Sequence, residues 1–376
     1  DIGNPIMNKN NKWVIKAGSS LVSGNHEGIN SNFINDLVNQ VDYLRKKGQD
    51  VVIISSGAVT KGMHEMGMKE RPASLHLLQA CAAVGQRGLI QIYQNEFDKY
   101  NYKTAQVLIS HDDISNRVRY LNAKSAIEAL LSLNIIPIVN ENDCVAVEEI
   151  SFGDNDRLGA ALVGLIRADN FVMLTDQEGI FSDDPSKNRE ASLIKSIDLD
   201  DKDLDLSNQL NASSGIHGRG GMKTKLEAAK TSVNSGAKTW VADGRKSDTL
   251  INLYEGKEEG TVFLSNKDTL QSRKLWLSSF GSSCGNLILD NGASEAITKK
   301  GKSILPVGIK EVEGKFNRGD LITCLDLDSK ELARGISNFS SEELNKIKGL
   351  NSKDLYKTLG YASEEEAIHR NNLVVS

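Results

Sequence analysis

Short, nearly continuous apolar runs alternate along the chain with stretches whose apolar positions recur at helical spacing. The runs at 12–17 (KWVIKA), 50–54 (DVVII), 104–109 (TAQVLI), 135–139 (IIPIV), 170–174 (NFVML) and 238–242 (KTWVA) have the size and composition of buried strands. Between the first two, 32–47 places Phe33, Ile34, Leu37, Val38, Val41 and Leu44 on one helical face, and Gly48 stops it. Helices are also expected over 74–99, 123–133 and 157–167, and from the glycine-rich stretch 215–225 to Ser235. Strands apolar throughout, alternating with helices, predict a mostly parallel sheet covered on both faces, a three-layer α/β/α fold.

Near 262–270 the pattern changes. Short strands at 285–289, 309–312, 320–324 and 331–337 are punctuated by Asp290-Asn291-Gly292 and Arg318-Gly319-Asp320, which read as turns. A second, smaller β-rich domain is expected there, joined to the first at about 263–273. Residues 1–9 are expected to form a disordered or vector-derived tail outside the fold.

Composition removes several function classes. With 39% apolar and 25% charged residues the chain reads as an ordinary globular protein, and its net charge of −5 disfavours a general binder of nucleic acid or anionic membrane. No run approaches the roughly 18 apolar residues of a membrane span. Cys81, Cys144, Cys284 and Cys324 are scattered without C-x-x-C spacing, and the six histidines form no paired motif. Reduced thiols, a cytoplasmic setting and no dedicated protein metal site are the expectation.

Candidate chemistry gathers where strands end. The stretch 135–156, IIPIVNENDCVAVEEISFGDND, leaves a strand in Asn140-Glu141-Asn142-Asp143 and reaches Asp154-Asn155-Asp156 just before a helix. Parallel α/β sheets bind ligands outside the carboxyl ends of their strands, and two dense sets of Asp and Asn there suit an ammonium group or a metal ion. The competing reading is a solvated acidic loop. Against it, other strand ends point to the same place: Lys16-Ala17-Gly18-Ser19-Ser20 after the first strand and Ser55-Ser56-Gly57-Ala58 after the second. Glycine lets backbone approach a phosphate, and lysine is a point charge for its oxygens. Further on, Gly218-Arg219-Gly220-Gly221-Met222-Lys223-Thr224-Lys225 opens a helix, where free N–H groups and the helix dipole favour an anion. By contrast AITKKGKS (296–303) lacks the first glycine of a P-loop and follows no buried parallel strand, so it reads as a basic loop. Kinase H-R-D and D-F-G signatures are absent. Together these features suggest a nucleotide-dependent phosphoryl transferase without a P-loop.

The segments WVIKAGSS, VVIISSGAV, AAVGQRGLIQIY, IVNENDCVA, FGDNDRLGA, LTDQEGIFSDDPSKN and GRGGMKTKLEAA, in this order, resemble the glutamate 5-kinase family of the amino acid kinase superfamily. The C-terminal LILDNGASEAITKKGKSILPVGIKEVEGKFNRGDLI is similar to a PUA domain, and the likeness runs from about Lys12 to Tyr361. It implies an amino acid kinase domain over 10–264 and a PUA domain over 271–364. The implied reaction is ATP-dependent phosphorylation of the side-chain carboxylate of L-glutamate, the first step of proline biosynthesis, with Mg²⁺. By the same resemblance Lys16 and Lys225 serve the transferring phosphate. Ser56, Gly57, Asn140, Asp143, Asp154, Asn155 and Asp156 line the glutamate pocket. Lys16, Gly18, Thr175, Asp176, Arg219, Gly220, Gly221, Met222, Lys223, Thr224 and Lys225 hold ATP. It further implies feedback inhibition by proline and a homo-oligomer, a dimer or tetramer. Two positions depart from the family pattern: Arg219 stands where Thr is frequent, and Ala17 where a larger apolar residue is common.

Two alternatives are distinguishable. Another kinase of the superfamily, acting on acetylglutamate, aspartate, carbamate or UMP, fits the first domain, but the acidic cluster at Asp143 favours a free amino group. An RNA-binding regulatory protein would use the PUA-like domain. Residues 271–376, however, carry 15 Lys+Arg against 14 Asp+Glu, far from a basic nucleic-acid footprint.

Overall fold

The first strand, β1 (Lys12–Ala17), is buried at every residue after Lys12, as a strand covered on both faces must be. The computed structural model of the chain describes residues 11–24, 28–145, 155–183, 185, 188–200, 221–265, 282–361 and 364–375. These fall into two units, one within 1–114 and 123–266 and the other within 115–122 and 267–376.

In the first unit β1 sits inside an eight-stranded sheet with β2 (Asp50–Ser55), β3 (Thr104–Ile109), β4 (Ile136–Glu141), β5 (Asn170–Thr175), β6 (Ser196–Asp198), β7 (Lys238–Asp243) and β8 (Thr261–Leu264). The order is β6-β8-β7-β5-β1-β2-β4-β3, and every pairing is parallel except that of β7 with β8. The helices are α1 (Ser31–Lys46), α2 (Ala58–Glu65), α3 (Leu75–Asp98), α4 (Arg117–Ser132, of which 123–132 belong to this unit), α5 (Asp156–Ile166), α6 (Gly221–Asn234) and α7 (Thr249–Tyr254). Asn30 caps α1 by accepting from the Phe33 N–H at 3.2 Å, and Gly48, at φ 77°, lets the chain turn out of it.

The period of two along β1 decides what each face meets. Trp13, Ile15 and Ala17 join one core with Phe33, Ile34 and Leu37 of α1 and Leu89, Tyr93 and Phe97 of α3. Helix α5 covers the opposite face: a Cβ on Gly159 would lie 2.7 Å from the Phe171 ring and 3.3 Å from the Ile54 Cδ1. Lys16, in register with Ile54 and Met173, belongs to that second face. Elsewhere α2 and α3 touch backbone to backbone, since a Cβ on Gly62 would fall 1.7 Å from the Cys81 carbonyl oxygen. Both glycines at that crossing, Gly62 and Gly85, are therefore required by the packing.

Several boundaries differ from expectation. The fourth strand extends through Asn140 and Glu141, because those residues still pair with Leu108 and Ile109 of β3. The polar residues at its tip are strand residues, not loop. Helix α4 begins six residues before the expected Ala123, and α2 is a separate helix that hydropathy did not reveal.

The second unit is a five-stranded sheet of β9 (Gly285–Leu289), β10 (Ile309–Gly314), β11 (Leu321–Leu325), β12 (Glu331–Ile336) and β13 (Leu373–Val375), ordered β10-β9-β11-β12-β13. Its core gathers Leu287, Leu289, Ile322 and Phe339 with Ile297 and Leu344 from helices α8 (Asn291–Lys300) and α9 (Ser341–Ile347). Here the expectation of a turn and a basic loop is overturned. Asp290 is the N-cap of α8, accepting from the Ala293 N–H at 2.8 Å, and AITKK forms the helix that Gly301 ends at φ 58°. Buried Ile297 anchors that helix to the sheet, which outweighs the run of lysines on its exposed side.

Candidate active site

Parallel pairing brings the carboxyl ends of β1, β2, β4 and β5 to one edge of the sheet, with Ala17 in register with Ser55 and Leu174. At this edge the chain leaves β1 through Gly18, whose N–H donates to the Leu174 carbonyl at 3.1 Å. A Cβ at Gly18 would meet that carbonyl oxygen at 2.9 Å, so only glycine lets the backbone pass so close to β5. Gly57, at φ 103°, makes the corresponding turn from β2 into α2.

The charged centre is Asp156, the first residue of α5 and completely buried. Lys16 Nζ lies 2.7 Å from its Oδ1 and Lys225 Nζ 2.8 Å from its Oδ2. Lys16 reaches it because it is on the sheet face that α5 covers, and Lys225 because α6 packs beside α5. Burial alone would raise the pKa of Asp156; the Lys16 ammonium, and after it that of Lys225, overrule burial and hold the group well below the usual carboxylate range. Two cations thus share one buried carboxylate at the strand edge.

Beside it runs a chain of side-chain amides. Asn155 stands at the N-cap of α5, the position its residue type most favours, yet makes no capping hydrogen bond. Its Nδ2 donates instead to the Ser55 carbonyl at 3.1 Å, to Ser56 Oγ at 3.2 Å and to Asn140 Oδ1 at 3.0 Å. Asn140 Oδ1 also accepts from the Glu141 N–H at 2.9 Å, and Asn140 Nδ2 donates to Gln86 Oε1 on α3 at 2.9 Å. Asn155 Oδ1 is buried with no hydrogen-bond partner among the described residues, an uncommon state for a buried polar atom. Next along the chain, burial and then the Glu141 carboxylate push Asp143 up to about 6, with Arg71 opposing.

On the other side of β1, Thr175 ends β5 buried and donates to Asp176 Oδ1 at 3.2 Å; Asp176 is exposed. The described part of the glycine-rich stretch, Gly221 to Lys225, is the first turn of α6, with Lys223 exposed. Asp154, Arg219 and Gly220 lie outside the described residues. Lys16, Lys225, Asp156, Asn155, Asn140, Ser56 and Gly57 are therefore brought to one edge. Gln86 and Glu141 were not singled out from sequence. Gln86 had a signal: it interrupts the buried stripe Leu78, Cys81, Ala82, Gly85, Leu89, Tyr93 of α3, where an amide needs a reason.

Paired cations on a buried carboxylate, at the strand edge of a parallel sheet and beside a glycine-opened helix, define a phosphoryl-transferring α/β enzyme without a P-loop. Residues 11–243 match the amino acid kinase family and residues 285–359 the PUA domain. The glutamate 5-kinase of Saccharophagus degradans is 46% identical over 370 residues, 98% of each chain. That of Nitrosomonas eutropha is 45% identical over 370 residues, 98% of this chain and 99% of the relative. The chain belongs to the amino acid kinase family and, within it, to the glutamate 5-kinase family.

Proposed function

We propose that the chain transfers the γ-phosphoryl group of ATP, taken as its Mg²⁺ complex, to the side-chain carboxylate of L-glutamate. The product, L-glutamyl 5-phosphate, opens proline biosynthesis. The observation that carries the site assignment is the Lys16–Asp156–Lys225 bridge, which presents two ammonium groups within 3 Å of one buried carboxylate.

The carboxylate oxygen of glutamate attacks the γ-phosphorus and ADP leaves. The nucleophile needs no general base, because an ordinary glutamate side chain, with pKa about 4.3, is already ionised at pH 7. The obstacle is repulsion between two anions. Lys16 and Lys225 offset it and stabilise the charge on the moving phosphoryl group. Asp156 holds both ammonium groups in place. Ser56, Gly57, Asn140, Asp143, Asp154, Asn155 and Asp156 would line the glutamate pocket, with Asp143 and Asn155 facing the α-ammonium. Gly18, Thr175, Asp176 and the 219–225 stretch would hold the nucleotide.

Among the described residues no group of three His, Cys, Asp or Glu could hold a metal ion, and both oxygens of Asp156 are engaged by lysines. The described residues do not furnish a protein metal site. Mg²⁺ arrives on the nucleotide phosphates, as it does where few carboxylates are supplied.

We extend the reading to a kinase domain over 10–264, a PUA domain over 271–364, proline as a feedback inhibitor at the glutamate pocket, a dimer or tetramer, and a cytoplasmic setting. No helix among the described residues is long and apolar enough to cross a membrane. The test is γ-glutamyl hydroxamate formation from glutamate, ATP, Mg²⁺ and hydroxylamine, with aspartate, N-acetylglutamate and UMP run alongside. Hydroxamate from glutamate alone, lost in Lys16→Ala, supports the reading. Turnover of another acceptor in preference overturns the substrate assignment.

A further inference from the structure

We propose that Gln86, on the helix behind the pocket, is a positioning residue that fixes the amide orientation of Asn140 and through it makes Asn155 an acceptor for the substrate ammonium. The inference rests on the glutamate reading above and adds to it a residue that would not touch the substrate.

A primary amide offers two N–H donors on one atom and a carbonyl on the other, so turning it over exchanges what it presents. Asn155 Nδ2 has three acceptors around it, the Ser55 carbonyl, Ser56 Oγ and Asn140 Oδ1. This fixes which side of the amide carries the nitrogen and leaves Oδ1 buried as an acceptor without a partner among the described residues. Of these three, the Asn140 carbonyl belongs to a side chain that could itself turn. Two bonds favour its present orientation on the oxygen side, from Asn155 and from the Glu141 N–H. Gln86 Oε1 satisfies the nitrogen side. Without that acceptor Asn140 Nδ2, on a residue 2% exposed, is buried unpaired, a state that buried polar groups rarely occupy. The amide then shifts toward another acceptor, and Asn155 loses its orienting partner.

Two further observations give the chain a direction. Asn155 forgoes the N-cap bond available to it on α5, so its side chain is committed to this network. At the far end, Gln86 is 7% exposed and its Nε2 has no partner among the described residues, so the bond to Asn140 is the one hydrogen bond its side chain makes there. An amide on an otherwise apolar helix stripe, retained for one bond, is explained by what that bond orients.

The test compares Gln86→Met, which keeps length but removes the acceptor, with Gln86→Glu, which keeps an acceptor oxygen in either protonation state. The full chain is assayed for the KM of glutamate and of ATP, for kcat, and for the inhibition constant of glutarate, which is glutamate without its ammonium group. Gln86→Met should raise the KM of glutamate tenfold or more while the KM of ATP, kcat and the glutarate constant stay within about threefold. Gln86→Glu should keep the glutamate-to-glutarate preference within threefold of the parent. Equal loss for glutamate and glutarate in Gln86→Met would mean a merely structural role and overturn the proposal. So would a Gln86→Glu enzyme as impaired as Gln86→Met, which would point to Nε2 contacting substrate. Should Gln86→Met fail to fold, Gln86→Glu decides alone by the same criterion. A parent enzyme that neither turns over glutamate nor binds glutarate instead overturns the functional reading itself.

Discussion

Replacing Asp156 by Asn removes one negative charge from between two ammonium groups while preserving size. Lys16 is 4% exposed and Asp156 fully buried, so water cannot readily take over the lost role. Breaking a buried ion pair by removing one partner costs about 3–5 kcal/mol, because the other charge is left uncompensated. For a unit of 150–250 residues each kcal/mol lowers Tm by roughly 2–4 °C, so a fall of roughly 6–20 °C is expected at pH 7. The pH dependence has a definite sign. Asp156 has a depressed pKa in the fold, so its contribution is complete above the unfolded value, about 3.9, and is lost as pH falls toward the folded one. The gap in Tm between parent and Asp156→Asn should therefore narrow as pH is lowered below about 4. Millimolar ATP should recover more Tm in the variant than in the parent, since the triphosphate supplies the missing anion. Differential scanning fluorimetry from pH 7 down to pH 3, with and without ATP, measures all three effects. A variant within 2 °C of the parent at pH 7, or a gap that widens on acidification, would refute the view that Asp156 is a structural counter-ion.

Other expectations follow from the same geometry. Lys225→Met should lower kcat by about 10²–10³, the usual loss when one donor to developing charge is removed, with the KM of glutamate little changed in hydroxamate assays. With Asp143 raised to about 6, the KM of glutamate should climb as pH falls through 6, if the carboxylate proposed to face the ammonium is neutralised there. Asp143→Asn should show a high KM that no longer varies between pH 5.5 and 8. Gly62→Ala places a Cβ 1.7 Å from the Cys81 carbonyl oxygen, so α2 and α3 must separate; loss of more than about 3 kcal/mol in urea unfolding is expected, beyond the usual range of overpacking.

What could be read from the chain follows from physical range. Strand β1 was legible to the residue because burial on both faces writes itself as a nearly continuous apolar run. The edge strand β3, with Gln106 and Leu108 exposed, was legible from its short run Val107-Leu108-Ile109. The tip of β4 was misjudged, since Asn140 and Glu141 look like loop residues until their pairing partners on β3 are known. Helix α8 was hidden because its lysines face solvent and only Ile297 is buried, leaving little amphipathic signal. At the site, lysine after a strand and the Asp-Asn cluster suggested anion and cation chemistry. That Lys16, Asp156 and Lys225 share one bridge was not legible, because three residues so far apart meet only through strand register and helix packing. Gln86 was overlooked for the complementary reason: its partner lies 54 residues away.

The same sequence distance has a consequence for how the chain matures. Lys16 and Lys225 belong to the first strand and to a helix that follows six of the sheet's strands, with Asp156 between them. Closing such long loops is what slows folding in non-local topologies. A chain emerging from the ribosome cannot assemble the cationic centre until residue 225 is available, and a fragment ending before it can pair Asp156 with Lys16 alone. Nucleotide affinity is therefore a late-acquired property, and its appearance during refolding reports the docking of α6 beside α5 more faithfully than the gain of helix.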